Sequence, residues 1–131
     1  NRSKSKVREG LATSGTSTIE LLCHVSQAET TEGKVETLLR IKGIGIAIAS
    51  AILTVCYPEQ LTVLDYRSWA SLTQLGANDL PPHYPWTAGE YLQYCSACRR
   101  LAHQAKMSLR DLDRALWAKS WESDLLDLIR A

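Results

Sequence analysis

Apolar positions along this chain recur with helical rather than alternating spacing. Ile19, Leu21, Leu22, Cys23 and Val25 predict a short helix over Thr18 to Gln27. Val35, Leu38 and Leu39 predict the next, with Thr31 able to cap it. Ile46 to Cys56 is apolar nearly all round, which predicts a buried helix, and its Ala47, Ala49, Ser50 and Ala51 are small enough to admit a close neighbour. Tyr57-Pro58-Glu59-Gln60 ends that helix, because proline pushes the residue before it out of helical geometry. A further helix from near Asp65 carries Trp69, Leu72 and Leu75 inward and stops before Gly76, and Leu80-Pro81-Pro82-His83-Tyr84-Pro85-Trp86 predicts a rigid loop. Thr87 with Glu90 forms a capping box for a helix to about Lys106. Ser108 with Asp111 opens another that bears Leu109, Leu112, Leu116 and Trp117 on one face, and Trp121 to Ile129 closes the chain. Leu61 to Leu64 is too short to count as a strand, and no repeat is present. The predicted class is all-α, a helical bundle.

Residues 1–17 break the pattern. They are rich in Ser, Thr, Gly and basic side chains, with Arg2, Lys4, Lys6 and Arg8 close together and no apolar periodicity. This predicts a flexible basic tail followed by a single domain over 18–131. The net charge of +1 gives no global argument for nucleic-acid binding, which must rest on a local patch. No stretch is long and apolar enough to span a bilayer and no signal-like start is present, so the expectation is a soluble intracellular protein, cytoplasmic or nucleoid-associated, with no membrane partner. Cys23, Cys56, Cys95 and Cys98 make no disulfide framework. Cys95-x-x-Cys98, with His103 further along the same predicted helix, reads as two thiols on one helical face, so neither a zinc site nor an iron–sulfur cluster is expected.

The chemistry concentrates between Ile41 and Trp69. Ile41-Lys42-Gly43-Ile44-Gly45 places two glycines between helices, where a bulky group can approach the backbone closely. The free N–H groups at the following helix start suit a phosphate oxygen. Val63-Leu64-Asp65-Tyr66-Arg67 then supplies a carboxylate at a predicted helix start. By residue type alone such an aspartate is an N-cap. A carboxylate fixed at a helix start can stabilise positive charge developing on a bound group and orient water.

This stretch resembles the helix-hairpin-helix DNA glycosylases, the superfamily that includes endonuclease III. Its hairpin pattern of apolar, any residue, Gly, apolar, Gly, then alanine four positions on, reads here Ile41-Lys42-Gly43-Ile44-Gly45 with Ala49. The family's catalytic aspartate matches Asp65 in Leu64-Asp65-Tyr66-Arg67-Ser68-Trp69. Bifunctional members carry a lysine where this chain has Ala47, 18 residues before Asp65. The resemblance therefore implies a monofunctional glycosylase that flips a base out of duplex DNA and hydrolyses its N-glycosidic bond with Asp65. Lys42, Gly43, Ile44, Gly45 and Ile46 are the implied DNA-binding residues, with a monovalent cation at the hairpin and no other cofactor. Tyr66 and Trp69, with Tyr84 and Trp86 in reserve, are candidates for the base pocket. The family has further helices before the hairpin, so the resemblance implies a partial or reduced DNA-glycosylase fold, and a protein partner completing the fold is a further expectation. The alternative is a non-catalytic helix-hairpin-helix module that grips DNA or protein. A cavity with Asp65 at its floor favours the enzyme, and a filled core around a capping Asp65 favours the module.

Overall fold

The chain is all-helical in the computed structural model, which describes residues 2–77, 80 and 85–131. Seven α-helices occur among the described residues: α1 Arg2–Ser14, α2 Thr18–Gln27, α3 Thr31–Leu39, α4 Ile46–Cys56, α5 Tyr66–Gln74, α6 Ala88–Gln104 and α7 Leu109–Arg130. Side-chain caps set most of the helix starts. Ser17 and Glu20 form a capping box on α2, Thr30 caps α3, Thr87 and Glu90 box α6, and Ser108 caps α7. Thr30, and not Thr31, is thus the α3 cap. At the other end of α2 the Lys34 ammonium donates to the carbonyls of Val25, Ser26 and Ala28, which neutralises the exposed end of that helix.

The core is one continuous apolar cluster. Leu21 and Val25 of α2, Val35 and Leu38 of α3, Ile46, Ala49 and Leu53 of α4, and Leu72 of α5 meet Tyr91, Tyr94, Cys95 and Cys98 of α6 and Leu109, Leu112 and Leu116 of α7. Helix α3 touches α2, α4 and α6, while α7 packs on α5 and α6. Helix α4 is less enclosed than its composition predicts. Ala49 is fully buried, but Ala51, Val55 and Cys56 face solvent. Leu75 is likewise exposed at the end of α5. Helix α7 runs unbroken through Trp121 to Arg130, so the predicted closing helix is its second half, and it leaves Leu125, Leu126, Leu128 and Ile129 exposed. The proline-rich loop prediction falls mostly on residues 81–84, outside the described residues.

The largest correction concerns residues 1–17. Where the sequence pattern predicts a flexible tail, Arg2–Ser14 is a helix, ended by Gly15 in the left-handed conformation at φ +66°. Val7 and Leu11 pack against the core from α1, and between them Gly10 is buried. A Cβ on Gly10 would lie 1.9 Å from the Lys42 carbonyl oxygen. The reciprocal contact is at Gly43, where a Cβ would lie 2.8 Å from the Lys6 backbone carbonyl. Helix α1 is therefore seated backbone to backbone on the α3–α4 turn. Its apolar stripe is only three residues wide, with a glycine in the middle, too thin to register as periodicity.

This contact predicts the behaviour of Gly10→Ala. Alanine is the better helix former by about 0.5–1 kcal/mol, yet here its methyl group overlaps a carbonyl. The expected outcome is loss of about 1–3 kcal/mol or release of α1, seen as faster amide exchange across 2–14. A variant as stable and as protected as the parent would show that α1 is not seated this way.

Candidate functional site

Asp65 is positioned by a largely buried, non-helical segment that connects α4 to α5. Leu61, Thr62 and Leu64 are buried, and among the described residues no neighbouring strand satisfies the segment's backbone. Side chains do so instead. The Leu64 N–H donates to Ser50 Oγ of α4 at 3.0 Å, and the Tyr91 hydroxyl of α6 donates to the Thr62 carbonyl at 2.9 Å. Ser50 in turn donates to the Ala47 carbonyl.

Asp65 then caps α5 from an extended backbone, at φ −126° and ψ 176°. Its Oδ1 accepts the Ser68 N–H at 2.8 Å, and its own N–H donates to Ser68 Oγ at 3.1 Å. This closes a capping box with serine in the place usually taken by Glu or Gln. Its Oδ2 accepts the Trp117 indole N–H from α7 at 3.0 Å. A carboxylate offers about four lone-pair positions, so acceptor capacity remains toward the half-exposed side of Asp65.

The surroundings are aromatic and charged. The Arg67 guanidinium lies 4.5 Å from the Trp121 ring centre and 5.7 Å from that of Trp117, and bonds Asp124 at 2.6 Å and Ser120 at 3.0 Å. Ser71 donates to the Leu116 carbonyl at 2.8 Å, a contact that small residues on α5 permit. Of the pocket candidates, Tyr66 is 73% exposed, and half-buried Trp69 lies between Tyr66 and buried Trp86, with ring centres 6.0 Å and 6.3 Å apart. Among the described residues they form a stepped series of aromatic rings. Tyr84 lies outside the described residues. Sequence reasoning missed Ser50, Arg67, Asp113 and Trp117 as parts of this site, because Ser50 serves a segment 14 residues on and the other three depend on α7 folding back over α5.

The glycine turn sits at the α3–α4 junction. Gly43 adopts φ +92°, which favours glycine, and the Ile44 N–H closes the turn onto the Ile41 carbonyl at 3.0 Å. Gly45 caps α4 without a side chain. Lys42 and Gly43 are exposed and Gly45 half-buried, but Ile44 and Ile46 are core residues. The side chains of these two isoleucines are therefore unavailable to DNA. Ala47 is half-buried.

Two clefts among the described residues lie away from Asp65. One of about 710 Å³ is lined by Ala77, Leu80, Leu92, Gln93, Ser96 and Arg100 among others, and one of about 450 Å³ lies between α1 and Ile48. No helix among the described residues is long and apolar enough to cross a membrane. Among the described residues no three His, Cys, Asp or Glu side chains gather as a metal site. Cys95 and Cys98 are buried on α6, while Cys23 and Cys56 are exposed on α2 and α4. Burial raises the Cys95 thiol and pushes Cys98 up to about 12. The chain matches no family model, no curated protein and no solved structure.

Two predictions follow from these environments. Buried, protonated thiols are poor nucleophiles, so iodoacetamide at neutral pH should label Cys23 and Cys56 quickly and Cys95 and Cys98 only on unfolding; mass spectrometry reads the pattern, and early labelling on α6 would contradict the packing. The second concerns Asp113, buried one turn before Trp117. Burial is the main cause that raises its carboxyl; the Arg110 guanidinium, 3.1 Å away, opposes the rise and the Asp65 carboxylate adds to it. The folded state therefore holds this proton more tightly than the unfolded one, and Asp113 costs stability as pH rises upward from about 4. Asp113→Asn should gain on the parent across that window in urea melts. A stability difference independent of pH would refute the linkage.

Proposed function

We propose that this protein is a monofunctional DNA glycosylase of the helix-hairpin-helix type, which grips duplex DNA at the Lys42–Gly45 turn and removes a base by Asp65-assisted hydrolysis. The observation that carries this reading is the state of Asp65. Its carboxylate is fixed by two N–H donors, one from α5 and one from Trp117, and stays half-exposed beside the exposed ring of Tyr66. Such a group can stabilise positive charge developing on a sugar without reorganising. The exposed Tyr66 face gives an extruded base an aromatic surface to stack on. The exposed backbone of Gly43 is where a phosphate would approach. The monovalent cation belongs to the same proposal, with hairpin carbonyls as its ligands. Two of these carbonyls already have neighbours: that of Ile41 accepts the Ile44 N–H, and that of Lys42 abuts Gly10.

A second reading is favoured by the same geometry. Neither of the clefts described above has Asp65 in its lining, and the cap and the indole account for both carboxylate oxygens. A non-catalytic DNA-binding module needs nothing more of Asp65 than this.

Asp65→Asn separates the two. Asparagine still caps the helix, but its one amide oxygen cannot also accept the Trp117 N–H, so stability should fall by about 1 kcal/mol with the fold retained. Losing the charge should slow abasic-site formation on the order of a hundredfold or more, with duplex affinity retained. Duplexes carrying different modified bases supply the substrates. Equal excision by parent and variant would remove Asp65 from catalysis, and excision by neither would leave the binding module.

A further inference from the structure

We infer that α1 is part of the duplex-binding surface, with Arg2 and Lys6 extending the phosphate contacts of the glycine turn along one edge of that helix. The inference rests on the duplex-binding part of the reading above and not on its catalytic part. It starts from how charge is distributed. Helix α1 carries four cations against the single carboxylate of Glu9, while the whole chain nets only +1, so the remainder of the chain is net negative. Arg2, Lys4, Lys6 and Arg8 are all exposed, and none of them is ion-paired among the described residues.

Position makes two of these cations different from the other two. Arg2, Lys6 and Gly10 are spaced four residues apart, so they line one edge of the helix in successive turns. Gly10 meets the Lys42 carbonyl and the Lys6 backbone meets Gly43. The edge that ends on the turn therefore continues outward through Lys6 and then Arg2. With exposed Lys42, this places three cations along a line that begins at the turn. Lys4 and Arg8 occupy the opposite edge, where they border the cleft formed with Val7, Leu11, Thr18 and Ile48. A row of unpaired cations beside an exposed backbone turn fits the evenly spaced phosphates of a duplex backbone, a ligand bound by charge and read without sequence.

The two edges supply the test and its control, because each double variant removes two charges. Affinity for an unmodified duplex is measured by fluorescence anisotropy across a salt series for the parent, Arg2→Gln/Lys6→Gln and Lys4→Gln/Arg8→Gln. The Arg2/Lys6 variant should lower the slope of log affinity against log salt by about 2, and the Lys4/Arg8 variant by less than half as much. The charge-keeping variant Arg2→Lys/Lys6→Arg should restore the parent slope, which excludes a folding effect. Equal losses on the two edges would overturn the inference in favour of diffuse attraction. An unchanged slope in the Arg2/Lys6 variant would overturn it while duplex binding at the turn stands. A parent that binds no duplex at low salt would overturn both.

Discussion

The short stretch from Leu61 to Leu64 runs through the core outside any helix, with no strand beside it among the described residues, and the rest of the site depends on how its peptide groups are satisfied. A buried N–H or C=O without a partner costs about 1–3 kcal/mol, and backbone of this kind normally stays on the surface for that reason. Side chains from three helices meet the need here: Ser50 accepts the Leu64 N–H, Tyr91 donates to the Thr62 carbonyl and Ser68 donates to that of Val63. These bonds hold the connection taut between α4 and α6. Asp65 follows immediately and inherits the position they set.

Helix α7 completes the arrangement from the other side. Its Leu116 carbonyl takes the Ser71 hydroxyl and its Trp117 indole reaches Asp65, while Arg67 returns from α5 to lie against Trp117 and Trp121. The carboxylate is thus shared by two helices that are far apart in sequence. Burial of Asp113 one turn away adds a second carboxyl to the same region, which explains why their charges oppose one another. A single aspartate is in this way tied to the docking of α5 on α7.

Sequence patterning located the helices well where short-range chemistry decides them. The Thr87–Glu90 box, the Ser108 cap, the proline after α4 and the span of α2 all depend on residues within a few positions of one another, and each stands as read. The failures came where distant segments decide. Ser50 reads as a small packing residue until the segment it serves is folded beside it. Trp117 reads as core from its spacing with Leu112 and Leu116, but it is 41% exposed because its indole turns to Asp65. Ala51 and Val55 share the apolar character of α4, yet no neighbour covers their side. Helix α1 escaped notice because its anchor is a missing side chain, which no hydropathy pattern records.

That anchor has a consequence for how the chain can vary. Gly10 and Gly43 each face the other segment's backbone, so they behave as a matched lock whose two halves lie 33 residues apart. A side chain gained on either half pushes on the same interface, and the second substitution then meets contacts already loosened. Double substitutions should accordingly be less harmful than the sum of the single ones. The two halves are not equivalent, however. With α1 gone, position 10 would have nothing left to constrain, whereas position 43 would still favour glycine through its positive φ. Chains that share this turn but lack the first helix should keep the second glycine, so the pairing can be read in one direction only.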